Sequence, residues 1–193
     1  MSNWFLAFPL DEHVGLKLPR PPSGVSLLST ADLHLTLAFL GPVGEERALR
    51  AAALLFEALA RERCESFPCS FDRLEPLGPA ERFSVLAATL SEGHLRAVEL
   101  LSRHRDAACD AASAPRDPRP PLPHVTLARI ARSATHSQRA DALAWSRSVD
   151  LRPAYAHLRR IALFTASERP SSDRYRIVLA APLALQSSPS SGS

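Results

Sequence analysis

Two short runs of this 193-residue sequence pair an imidazole with a hydroxyl two places on: His34 and Thr36 in "HLTLAFLG", and His124 and Thr126 in "HVTLARI". An unperturbed histidine titrates near pH 6.5, so at neutral pH one ring can be neutral while another is protonated. A neutral imidazole can take a proton from water as a protonated one gives its proton to a departing alkoxide. Each such transfer is typically worth about 10²–10⁴ in rate. Threonine hydroxyls can hold the non-bridging oxygens of a phosphodiester, where negative charge gathers. The pattern lacks the His, Cys and carboxylate set of a transition-metal site, so the chemistry it suits calls for no metal and no cofactor.

Such residues need a scaffold that aims them together. Side chains alternate between the two faces of a strand. In "LHLTLAFL" this puts His34, Thr36, Ala38 and Leu40 on one face, with Leu33, Leu35, Leu37 and Phe39 on the other. The leucine face is the expected core, which places Phe39 in the interior. In the second run His124 and Thr126 share a face, with Val125 and Leu127 opposite. A two-residue step at roughly 3.3 Å per residue separates each His–Thr pair by about 6–7 Å, enough to flank one tetrahedral anion and too far for a direct relay. His13, His94, His104, His136 and His157 have no such context and are expected to be solvated or capping.

Apolar runs bounded by Pro, Gly and polar clusters predict strands over 3–8, 34–41, 66–74, 82–90, 124–130, 158–166 and 174–183. Residues 45–63 and 92–112 carry apolar residues at helical spacing, among them Leu49, Phe56, Leu95 and Leu101. Short helices are expected from Asp11 and Glu12 and over 137–146. The order predicts an α+β protein with largely antiparallel sheets. Residues 1–183 are read as one domain, and "QSSPSSGS" closes a tail, 184–193, expected to be disordered.

Hydrophobic residues make up 46% and charged ones 22%, an ordinary globular composition. The net charge of +3 admits an anionic ligand without demanding nucleic acid. Lys17 is the only lysine, so nearly every cation is an arginine, the better fork for phosphate oxygens. Three cysteines without metal-like spacing, no secretory signal and no long apolar run point to reduced thiols and a cytoplasmic location without membrane attachment.

The paired "HLTL" and "HVTL" resemble the two H-x-T-x motifs of the 2H phosphoesterase superfamily. "NWFLAFPLDE", "ADLHLTLAFLG", "RFSVLAATL", "PLPHVTLARI" and "IALFTASERPSSDRYRIV" occur in the order and approximate spacing of its LigT/ThpR branch, the RNA 2′,3′-cyclic phosphodiesterases also called 2′-5′ RNA ligases. The resemblance implies a two-lobed fold whose sheets line a central cleft, with helices packed outside. It implies metal-independent hydrolysis of RNA 2′,3′-cyclic phosphate ends to 2′-phosphomonoesters, with reversible 2′-5′ joining. A monomer is expected. The resemblance further implies His34 as proton donor, His124 as proton acceptor, and Thr36 and Thr126 as phosphate ligands; the nearly symmetric motifs do not themselves say which ring is which.

Arg129 matches a family arginine near the phosphate, although strict alternation sets it opposite His124 unless the strand twists or bulges. Phe39 and Phe8 are candidate base-stacking groups. Leu122 stands where many relatives have an aromatic residue. Two other readings stay open on the sequence. One is a phosphodiesterase for a small cyclic nucleotide, an ADP-ribose cyclic phosphate or a 2′-5′ oligonucleotide. The other is a non-catalytic RNA- or nucleotide-binding module.

Overall fold

The long apolar runs all become strands of one antiparallel sheet in the computed structural model, which describes residues 2–11, 13–79, 82–168 and 173–185. In chain order the strands are β1 (Trp4–Pro9), β2 (His13–Val14), β3 (Val25–Leu27), β4 (His34–Gly41), β5 (Phe67–Leu77), β6 (Val85–Leu90), β7 (His124–Ile130), β8 (Tyr155–Leu158), β9 (Arg160–Ala166) and β10 (Tyr175–Pro182). Three helices intervene: α1 (Glu45–Arg61), α2 (His94–Ala111) and α3 (His136–Ser148). A 3-10 turn at Thr30–Asp32 leads directly into β4.

The sheet runs β10-β9-β1-β4-β7-β6-β5-β8-β2, with β3 added on β7. Its halves meet where β4 adjoins β7, and there a single pair, Leu35 opposite Val125, is in register. The two expected lobes are therefore two half-sheets that share a seam, and the seam is formed by the two motif strands. α1 and α2 pack on each other and α2 lies against β4, while α3 lies against β5.

Leu35, Leu37, Val125 and Leu127 are buried in one core with Leu55 and Leu59 of α1 and Leu100 and Leu101 of α2. Each such aliphatic side chain taken out of water contributes about 1.5–3 kcal/mol. That burial fixes which way the strands face. A smaller apolar cluster of Phe5, Ala7, Ala162 and Phe164 is separate from this core. It lies on the other face, since Phe5 and Ala7 alternate with Leu6 and Phe8 along β1.

Several local expectations are corrected. The segment after Asp11 forms no short helix: His13 pairs with Ala156 of β8, and Glu12 lies outside the described residues. β2, β3 and β8 are two to four residues long, too short for any periodicity to announce them. The buried stripe of α2 comprises Ala97, Leu100, Leu101, His104, Ala108 and Cys109, which leaves Leu95 exposed. His104 is consequently buried, 3.3 Å from Glu62, and desolvation lowers its pKa. Ala184, expected in the tail, bonds to the backbone of Cys64 and Ser66, while 186–193 lie outside the described residues.

Candidate active site

The seam brings the motifs together. Leu35 and Val125 are direct antiparallel partners and point into the core. Continued by one residue either way, that register sets His34 beside Thr126 and Thr36 beside His124, on the face away from the core. Neighbouring strands lie about 5 Å apart and the His–Thr step is about 6–7 Å, so the four side chains occupy the corners of one small rectangle. Each histidine is diagonal to the other and flanked by a threonine from its own strand and from its neighbour. Among the described residues no protein group bonds the hydroxyl of Thr36 or Thr126.

Both motif strands then break alternation at the same place. Along β1 and β4, Leu6 faces Ala38 and Ala7 faces Thr36, so Leu37 is an extra residue. Along β6 and β7, Leu86 faces Ala128 and Ala87 faces Thr126, so Leu127 is extra. In each copy the bulged leucine and the following alanine are both buried. A bulge of this kind shifts the strand's facing by one residue. The residue five after each histidine thereby returns to the histidine's face: Phe39 in β4 and Arg129 in β7.

The bulges settle three placements. Arg129 reaches the side of His124 and Thr126 through Leu127. Phe39 is 58% exposed and pairs across strands with Phe5, whose ring packs on His34, so it lies beside the site and not in the core. Phe8 does the reverse, being fully buried against Phe67. Leu122 is exposed, and its carbonyl is used by His124.

The two imidazoles are tethered alike. Nδ1 of His34 lies 2.6 Å from the carbonyl oxygen of Asp32, and Nδ1 of His124 lies 2.7 Å from that of Leu122. A carbonyl only accepts, so Nδ1 carries the proton in both rings and Nε2 is the titrating nitrogen. Neither Nε2 has a partner among the described residues.

Their surroundings differ sharply. His34 is boxed by Phe5 at 4.7 Å, Phe164 at 5.3 Å and Tyr175 at 5.5 Å between ring centroids. Burial among these rings pushes its pKa down to about 4, against the Asp32 interaction that raises it; the charges of His124 and Arg129 also lower it. His124 has no aromatic contact among the described residues.

The structure adds residues that sequence patterns did not mark. Asp32, 1% exposed, accepts the backbone N–H groups of Arg174 at 2.9 and 3.0 Å and of Tyr175 at 3.0 Å. Its carbonyl oxygen meanwhile orients His34. Tyr175, so fixed, stands edge-on to His34, and its hydroxyl accepts from a terminal nitrogen of Arg129 at 2.8 Å. One carboxylate thus ties together the start of β4, the start of β10 and the guanidinium delivered by β7. An aspartate two places before a motif histidine was the available signal, but its partners lie more than 140 residues away.

A family profile, the 2′-5′ RNA ligase superfamily, matches residues 20–169, a span that includes both motifs. The chain belongs to that superfamily. Its 2H phosphoesterase resemblance is thereby borne out, and membership makes it an enzyme of phosphoester chemistry. Solved structures agree on the fold. Escherichia coli LigT complexed with 3′-AMP superposes with a TM-score of 0.62 at 21% identity, covering 94% of this chain and 98% of that one. TT0787 of Thermus thermophilus gives 0.62 at 22% identity, covering 96% and 100%. No curated protein matches the chain by sequence. No helix among the described residues is long and apolar enough to cross a membrane.

Proposed function

We propose that this member of the 2′-5′ RNA ligase superfamily hydrolyses RNA 2′,3′-cyclic phosphate ends to 2′-phosphomonoesters, as a metal-independent cytoplasmic monomer. The observation that carries the reading is the seam itself: two imidazoles with the same fixed tautomer and two threonine hydroxyls, unpartnered among the described residues, around one rectangle. E. coli LigT, a protein of the same fold, has been crystallised with 3′-AMP and with phosphate, which supports a nucleotide phosphate as the group the cleft receives.

In this mechanism Nε2 of His124 takes a proton from water as its oxygen attacks phosphorus. The bond from phosphorus to the 3′-oxygen breaks, and Nε2–H of His34 protonates the departing alkoxide. Thr36 and Thr126 hold the non-bridging oxygens and Arg129 offsets their charge. These donors matter most where charge grows in the transition state. Run forwards with a 5′-hydroxyl in place of water, the same transfers join a 2′-5′ linkage, and run backwards they break it and re-form the cyclic phosphate.

The donor role gives His34 a specific requirement. Burial holds its pKa near 4, which leaves the ring neutral at pH 7. A bound phosphate anion favours the charged ring and must raise that pKa for His34 to act as the acid. The limbs of a pH–rate curve do not say which ring is which, whereas the rings' own NMR titrations do.

The test is incubation in EDTA with an RNA ending in a 2′,3′-cyclic phosphate, followed by phosphorus NMR. The expected product keeps its phosphate on the 2′-oxygen, and H34A and H124A make it at least about a hundredfold more slowly. Unchanged turnover in either variant, or a requirement for added metal, contradicts the proposal.

A further inference from the structure

Beyond the rectangle, at the far end of β7, lies a cavity of about 420 Å³ walled by Ser26, Ser84, Arg129, Arg132 and Arg174. Its size falls in the range of small-ligand pockets. The sheet register builds it: Arg129 has Ser26 of β3 opposite on one side and Val85 of β6 on the other, and the carbonyl of Ser84 holds the N–H of Ile130. Arg174 enters from the start of β10, where Asp32 pins its backbone. No carboxylate among the described residues lines the cavity.

Some arginines of this chain find acids close by, as Arg103 does with Glu62 and Glu99, Arg116 with Asp110, and Arg160 with Asp11, while Arg47, Arg61 and Arg147 make no ion pair with a described residue. Among the described residues the side chains of Arg132 and Arg174 make no ion pair or hydrogen bond. Of the acids on adjoining segments, Asp32 is engaged by the backbone and Asp173 by the hydroxyl of Ser29. Nε of Arg129 is buried with no acceptor among the described residues. An orphaned buried donor costs free energy and calls for a partner. Three guanidiniums around one hollow, two of them unpaired and the third with a free buried N–H, are the inventory of an anion site.

We propose that this cavity is a second phosphate subsite, and that the preferred substrate carries a further phosphate on the same chain as the reacting one. The inference rests on the cyclic phosphodiesterase reading for the role of the first phosphate. Arg129 joins the two places. From Thr126 to Arg129 is three residues with one taken up by the bulge, at most about 10 Å along β7. Serine hydroxyls on β3 and before β6 complete the ring of donors. A phosphate here can be the internal diester of an oligonucleotide or the 5′-monoester of a mononucleotide, and both present the same oxygens.

The experiment compares kcat/KM for adenosine 2′,3′-cyclic phosphate, its 5′-phosphorylated form, and a dinucleotide ending in the cyclic phosphate. Wild-type protein is set beside R132E, R174E and the double variant. The wild type is expected to gain about tenfold or more from the second phosphate, the scale of one charge-assisted contact. The variants are expected to lose that gain and keep the rate on the unphosphorylated mononucleotide. A gain confined to the dinucleotide identifies the internal diester; an equal gain from the 5′-monoester identifies phosphate charge in either setting.

No gain in the wild type, or a gain intact in the double variant, overturns the subsite. If no cyclic phosphate is turned over at all, the catalytic reading fails, and the subsite is judged separately by calorimetry. There adenosine 2′-phosphate is compared with a dinucleotide 2′-phosphate. The dinucleotide should bind about tenfold tighter to wild type, and the salt slope of its affinity should fall by about one per arginine removed. Equal affinity for the two, or an unchanged slope, counts against it.

Discussion

β4 and β7 are nearly the same strand built twice. Each starts on a histidine whose Nδ1 is held by the carbonyl two residues back, follows with threonine, and bulges at the next leucine. They part at two points. Five residues after the histidine β4 presents the exposed ring of Phe39 and β7 the guanidinium of Arg129. His34 sits in a box of three aromatic rings, whereas His124 has none among the described residues. A common backbone device thus delivers two imidazoles held alike, and the neighbours make them unequal. In the proposed mechanism the asymmetry between acid and base comes from packing around the motif, since the motif itself is symmetric.

The largest effect expected from breaking the comparison is loss of either ring. H34A and H124A should each lower kcat by about 10²–10⁴, with near-native circular dichroism. T36V and T126V should cost alike, about 10²–10³ each, if both threonines hold developing charge; a tenfold inequality between them would show that only one touches the phosphate. R129M and F39A sharpen the contrast at the fifth position. R129M should lower kcat/KM by more than tenfold. F39A should raise KM a few-fold with kcat unchanged, as loss of a base-stacking face does, and a fall in kcat would place Phe39 nearer the chemistry.

The aromatic box makes a stability prediction with a definite sign. His34 titrates near 4 when folded and near 6.5 when unfolded, so between those values the unfolded chain binds more protons. The stability that the neutral buried ring confers is complete above about pH 6.5 and is lost as pH falls through the window to about 4. The span corresponds to about 3 kcal/mol, to be seen by urea unfolding at several pH values. H34F should reduce that dependence, and buried His104, whose pKa desolvation also lowers, should keep part of the remainder. A smaller effect is expected of D32N, which keeps one oxygen acceptor, loses the carboxylate charge and sets an amide N–H₂ against the N–H of Arg174 where Oδ2 now accepts. It should cost about 1–3 kcal/mol and lower activity through a displaced Tyr175 and Arg129.

The quartet of His34, Thr36, His124 and Thr126 and all the long strands and helices are legible in the sequence, because burial of an alternating or helical apolar pattern is a local constraint. The bulges are not. After Leu37 comes Ala38 and after Leu127 comes Ala128, so an extra residue leaves the run looking uniformly apolar and only the counting of faces goes wrong. Phe39 therefore reads as core until the bulge is seen. Arg129 gives the better clue, since a guanidinium in phase with a core face cannot stay there without a break in alternation. The tie from Asp32 to Tyr175 and on to Arg129 has no local signature, because its strength lies in contacts across 142–143 residues.

The central claim is that one phosphate is shared by both imidazoles, and proton–nitrogen NMR of the two rings under titration with adenosine 2′-phosphate tests it most directly. The account predicts that the Nε2 and ring-proton signals of His34 and His124 move together, with one dissociation constant and 1:1 stoichiometry, while the pKa of His34 climbs from about 4. Movement of one ring alone, or two rings following different dissociation constants, would contradict it.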